Sequence, residues 1–103
     1  MKVLLDECVL RPIRRFLTGH DIATIEQAGW NGVENADLLC QAEGHFDAFI
    51  TADKNLRYQQ NLAGRRIAIL ELPTNDWLEL RPRVPEIQRA LDALKPGDYV
   101  ALT

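Results

Sequence analysis

Cysteine is scarce in this 103-residue chain, and its two copies, Cys8 and Cys40, lie far apart with no C-x-x-C spacing. That excludes the usual signature of a zinc or dithiol redox centre and leaves two buried thiols in a reducing cytosol as the reading. Long apolar runs are missing as well. Nothing approaches the roughly 18 apolar residues of a membrane span, and no N-terminal apolar stretch ends in a small-residue cleavage site. A cytoplasmic protein with no membrane contact is expected. Positive charge is not in excess, since the formal net charge is -3. Contact with nucleic acid would therefore come from a local patch, or from metal ions that hold phosphates, rather than from a global field. Internal repeats, low-complexity tracts and Ser/Gly-rich linkers are absent too, which predicts a single domain over residues 1–103. With 47% hydrophobic residues, such a domain can bury a core without disulfides or structural metal.

Five short apolar runs recur along the chain: "KVLL" from Lys2, "IATI" from Ile22, "AFIT" from Ala48, "IAIL" from Ile67 and "YVAL" from Tyr99. Continuous runs of this length, rather than alternating ones, suit strands covered on both faces, as in a parallel sheet. Helical segments lie between them. "RPIRRFL" has Pro12 near a first turn and sets Ile13, Phe16 and Leu17 on one face. "ENADLLCQAEG" places Ala36, Leu39, Cys40 and Glu43 at helical spacing, with Gly44 as C-cap. A short helix is expected from Leu56 to Gln60, and a last one from Val84 to Leu94 before "KPG". The alternation predicts an α/β fold of three layers: a central, mainly parallel five-stranded sheet flanked by helices. In such sheets ligands gather outside the carboxyl ends of the strands.

Acids stand at those ends. Asp6 and Glu7 come after the first run, Asp53 after the third, and Asn75 with Asp76 after the fourth. Glu34 and Asp37 open the second helix, one turn apart. Carboxylates gathered at one edge repel one another unless a hard divalent cation, Mg²⁺ or Mn²⁺, takes their oxygens while keeping some of its waters. Such an ion activates water and neutralises charge on a phosphoryl group, so the matching reaction is phosphodiester cleavage. The plainer alternative is capping, because Asp6, Asp53 and Asp76 each precede a potential helix. Lys54 and Arg57, close behind Asp53, are the candidate contacts to a phosphate backbone. Arg65 and Arg66 could flank the acids as well, although an ordinary solvated face accounts for them. His20 and His45 read as structural, and Trp30 and Trp77 as packing anchors.

"MKVLLDECV", the "GW" after the second strand, "ADLL" and "FDAFITADKNL" resemble the short PIN-like domain family of prokaryotes, grouped with VapC-like toxins of toxin and antitoxin pairs. The resemblance implies strand order 3-2-1-4-5 and a Mg²⁺- or Mn²⁺-dependent ribonuclease site of three or four acids. Asp6, Asp53 and either Asp37 or Glu34 occupy its acidic positions. Asp47 also matches a family position but by spacing faces the other edge, and is read as structural. Asn55 stands where a further acid is usual, with Asn75 or Asp76 as substitutes.

Three functions are compatible with these residues. The first is a ribonuclease in which Asp6, Asp37 and Asp53 ligate the ion, Glu7 or Glu34 positions water and Lys54 or Arg57 holds RNA. The partners it allows are RNA, a small antitoxin protein and a second copy of the chain. The second is a catalytically silent module that works by binding a protein partner, favoured by Asn55. The third is a receiver-like phosphoacceptor centred on Asp53, with Thr74 and Lys95 imitating the rest of that signature.

Overall fold

In a computed structural model, residues 1–9, 11–33, 35–54 and 65–103 of the chain are described. Five strands form one sheet: β1 (Lys2–Leu5), β2 (Asp21–Thr24), β3 (Ala48–Thr51), β4 (Ala68–Glu71) and β5 (Tyr99–Ala101). Every pairing is parallel, and the order is β2-β1-β3-β4-β5. The helices are α1 (Ile25–Ala28), α2 (Asn35–Ala42), α3 (Trp77–Leu80) and α4 (Val84–Asp92), with 3-10 turns at Arg11–Arg15 and Arg81–Arg83. The helix expected from Leu56 to Gln60 falls outside the described residues.

The α/β class is as the apolar runs predict, but the order 3-2-1-4-5 is not observed. Burial explains the difference. β1, β3 and β4 are buried along nearly their whole length, whereas β2 and β5 are partly exposed. The two orders differ in which of β2 and β3 lies at the edge: β3 (AFIT) is buried at every residue and needs a strand on each side, whereas β2 (DIAT) opens on exposed Asp21 and tolerates an edge. β3 therefore pairs with β1 on the side away from β2, with Val3 opposite Ala48 and Leu5 opposite Ile50.

Alternation along the strands divides the core in two. Val3, Leu5, Ile50 and Leu70 pack with Ile13, Leu17, Ile87 and Leu91 on one face. Leu4, Phe49 and Ile69 pack on the other face with Leu38, Leu39 and Ala42 of α2. The inward stripe of α2 is thus Leu38, Leu39 and Ala42, and Cys40 is exposed, contrary to the spacing expected from Leu39, Cys40 and Glu43 and to the reading of two buried thiols. Phe16, expected inside, is 45% exposed and lies against Trp77, with ring centroids 5.4 Å apart. Trp30 meets Phe46 edge-on at 5.7 Å and covers the α2 side of the core. No helix among the described residues is long and apolar enough to cross a membrane.

At the end of the sheet where the strands begin, His20 Nε2 lies 2.7 Å from Asp92 Oδ1, which also accepts from Gln88 Nε2 at 2.9 Å. These bonds, that of His20 foremost, hold the Asp92 carboxyl below the ordinary carboxylate range. A carboxyl lowered by folding adds stability above the pKa of the unfolded chain, about 3.9 for Asp, and loses it as pH falls through the lower folded value. Asp92→Asn should therefore flatten the acid limb of melting temperature against pH. The effect is small because Asp92 is exposed.

Candidate functional site

The order β2-β1-β3-β4-β5 reverses its direction of growth between β1 and β3, and ligand sites in open α/β sheets form outside the carboxyl ends of the strands at such a point. Asp6 comes directly after β1 and Asp53 lies two residues beyond the last residue of β3, so both stand at this place. The Asp6 N–H donates to Ile50 O at 2.9 Å, which carries the sheet ladder one residue past β1 and fixes the carboxylate beside Thr51.

Thr51 joins the two acids. Its hydroxyl donates to Asp6 Oδ2 at 2.7 Å and accepts the Asp53 backbone N–H at 3.0 Å. Thr51 is fully buried, so this hydroxyl is held by packing as well as by its bonds. Asp6 Oδ1 accepts the Glu7 N–H at 2.8 Å, so both oxygens of Asp6 are oriented and Oδ1 keeps a lone pair for another ligand. Cys8 completes the group. Its thiol lies 3.5 Å from Asp6 Oδ2, and its sulfur accepts the Ala52 N–H at 3.4 Å. Burial pushes the Cys8 thiol up and the Asp6 charge adds to it, against the lowering effect of the Ala52 N–H. Cys8 is therefore a neutral thiol near pH 7 that supports Asp6, not a nucleophile.

A cavity of about 130 Å³ opens beside Asp6 and Glu7, bounded on the β2 side by Thr24, Glu26 and Asn31. Glu7 is exposed, Asp53 half-buried and Lys54 exposed. Because β2 and β3 run parallel, α2 carries the chain back from the carboxyl edge to the amino edge, which puts exposed Asp37, in its first turn, on the side of the acids. Among the described residues, no three His, Cys, Asp or Glu side chains are grouped to hold a metal ion. Glu34, Asn55 and Arg57, all named by the sequence, lie outside the described residues.

Asp76 is a cap. Its Oδ1 accepts the Leu78 N–H at 3.0 Å at the start of α3, and both it and Asn75 are exposed. Asp47 is structural as expected, accepting the Lys2 N–H at 2.9 Å at the amino edge. Arg65 and Arg66 precede β4 and so stand at that amino edge too, away from the acids. Two residues that sequence reasoning missed are Thr51 and Glu71. Glu71 ends β4 opposite Thr51, is buried, and accepts the Tyr99 hydroxyl at 2.6 Å. A polar last residue in an apolar run was the signal available for both.

No family model matches the chain, and neither a curated protein nor a solved structure matches it.

Proposed function

We propose that the protein is a cytoplasmic, Mg²⁺- or Mn²⁺-dependent endoribonuclease of PIN-like type whose site is the Asp6, Thr51 and Asp53 group, acting as the toxin of a toxin and antitoxin pair. The observation that carries the reading is the Thr51 hydroxyl, which ties the Asp6 carboxylate to the Asp53 backbone where the strand order reverses. Oxygen donors on a half-exposed rim suit a hard divalent ion that keeps most of its waters and needs one or two protein carboxylates beside substrate phosphates. Asp6 and Asp53 would hold it, with Asp37 adding to the field from the first turn of α2. When bound, such an ion polarises a phosphoryl oxygen and lowers the pKa of a water.

The chain's own side chains do the rest. Thr51 and the Glu7 N–H fix both oxygens of Asp6, so no reorientation is needed when substrate arrives. Glu7, exposed beside Asp6, accepts a hydrogen bond from the attacking water. Lys54, exposed next to Asp53, holds the backbone of the RNA. Thr51→Val should lower Mn²⁺-dependent cleavage of single-stranded RNA by about 10- to 100-fold, the range seen when a residue orienting a ligand is lost. It should also cost about 1–3 kcal/mol of stability, because the Asp53 N–H loses its acceptor. A single-turnover RNA assay with an unfolding curve checks both. Unchanged cleavage would remove Thr51 from the site, and wild-type protein that cuts no RNA with either ion would end the proposal.

The receiver-like reading draws on one observation, the 2-1-3-4-5 order with acids after β1 and β3. Its lysine is misplaced. Lys95 precedes β5 and stands at the amino edge, at the opposite end of the sheet from Asp53.

A further inference from the structure

A second cavity, of about 510 Å³, opens at the amino edge of the sheet, below the starts of β3 and β4. Its volume lies in the range of small-molecule sites, against about 130 Å³ for the cavity over Asp6. Ile67 and Ala68 form its buried floor, and Phe46, Leu94 and Pro96 contribute apolar walls. The rim is charged, and unevenly engaged. Glu43 accepts the Arg66 backbone N–H and lies 3.7 Å from the Arg65 guanidinium, while Asp47 accepts the Lys2 N–H. The guanidinium of Arg66 and the ammonium of Lys95 make no side-chain hydrogen bond or ion pair among the described residues. Glu43 and Asp47 are thus partnered, as is the Met1 ammonium, 3.4 Å from His20 Nδ1, whereas Arg66 and Lys95 have no side-chain partner among the described residues.

The wall that carries Lys95 is fixed. Gly97 sits at φ +83, and a Cβ there would come 3.3 Å from Arg65 O. Its N–H donates to Arg66 O at 2.8 Å, and Asp98 closes the turn by accepting the Lys95 N–H at 2.9 Å. Arg66 and Lys95 are therefore brought to the rim by two backbone segments bonded to each other, so binding has to order their side chains but not the backbone that carries them.

We propose that this groove binds a small organic anion: a carboxylate on an aromatic or branched apolar body, with the body on Ile67 and Ala68 and the charge between Arg66 and Lys95. The site lies at the opposite end of the sheet from Asp6 and Asp53 and does not depend on the ribonuclease reading. The test is an amide chemical-shift titration of the whole chain with benzoate, 2-naphthoate, indole-3-acetate and 4-methylvalerate, each beside its uncharged primary amide. At least one carboxylate is expected to perturb Ile67, Ala68 and Leu94, with its amide binding at least tenfold more weakly. Arg66→Gln with Lys95→Gln should weaken the carboxylate about tenfold, since neither side chain has a partner to lose among the described residues, while Asp53→Asn leaves it unchanged. The proposal is overturned if no carboxylate perturbs these residues, if the amides bind as well as the acids, or if the shifts gather at Asp6 and Thr51.

Discussion

Asp6→Asn and Asp53→Asn should each lower Mn²⁺-dependent RNA cleavage by at least about 100-fold, because each removes a charged oxygen ligand at the point where β1 and β3 end together. The fold should survive both. In Asp6→Asn one of the two acceptors becomes an NH₂ group, and the Thr51 hydroxyl, donor and acceptor in one, can rotate to receive it. Melting temperatures within a few degrees of wild type would separate lost chemistry from lost structure. Asp47→Asn is the matched control: an acid of the same sheet at the amino edge, bonded to the Lys2 N–H, whose change should leave cleavage intact. Cleavage that persisted in Asp6→Asn while falling in Asp47→Asn would put the chemistry at the wrong end of the sheet.

The second large effect concerns packing. Phe49 is fully buried in the middle of β3, opposite Leu4 and Ile69, and fills the space under Leu38 and Leu39 of α2. Phe49→Ala removes the transfer energy of the ring and leaves a cavity that rigid neighbouring strands cannot close, for a loss of about 3–5 kcal/mol. A domain of this size has about 5–15 kcal/mol in total, so the melting temperature should drop by roughly 15 °C or more. Denaturant unfolding monitored by circular dichroism measures it. A loss under about 1 kcal/mol would mean that α2 does not cover this face.

The strands are legible in the sequence because each is a compact apolar run, and burial on both faces demands such runs. Their order is not legible from a resemblance. The residues carry part of it, in that β2 opens on Asp21 where β3 is apolar up to Thr51, but Lys2 opens the central β1 as well, so a charged first residue does not by itself mark an edge. The stripe of α2 is misplaced by composition because Cys40 counts as apolar, while the helix turns Leu38 to the sheet in its stead. Within the site, looking at the residues directly after each strand finds Asp6 and Asp53, and it finds Asp76 by the same rule although Asp76 is a cap. The rule does not distinguish Asp6, which lines a cavity, from Asp76, which turns back to its own helix, since that depends on a side-chain torsion. Thr51 escapes notice because a β-branched residue inside a strand needs no special reason. Sequence reasoning leaves Arg66 on an ordinary solvated face or flanking the acids, and a residue preceding a parallel strand belongs at the amino edge, a placement that topology alone gives.

A divalent ion held by Asp6 and Asp53 is the central claim, and its most direct test is paramagnetic broadening of backbone amides on titration with Mn²⁺. The expected result is early, selective loss of the signals of Glu7, Cys8, Ala52 and Asp53, with those of Gly97 and Asp98 at the far edge kept, and no such loss in Asp6→Asn. Broadening centred on the amino edge, or none at millimolar Mn²⁺, would contradict it.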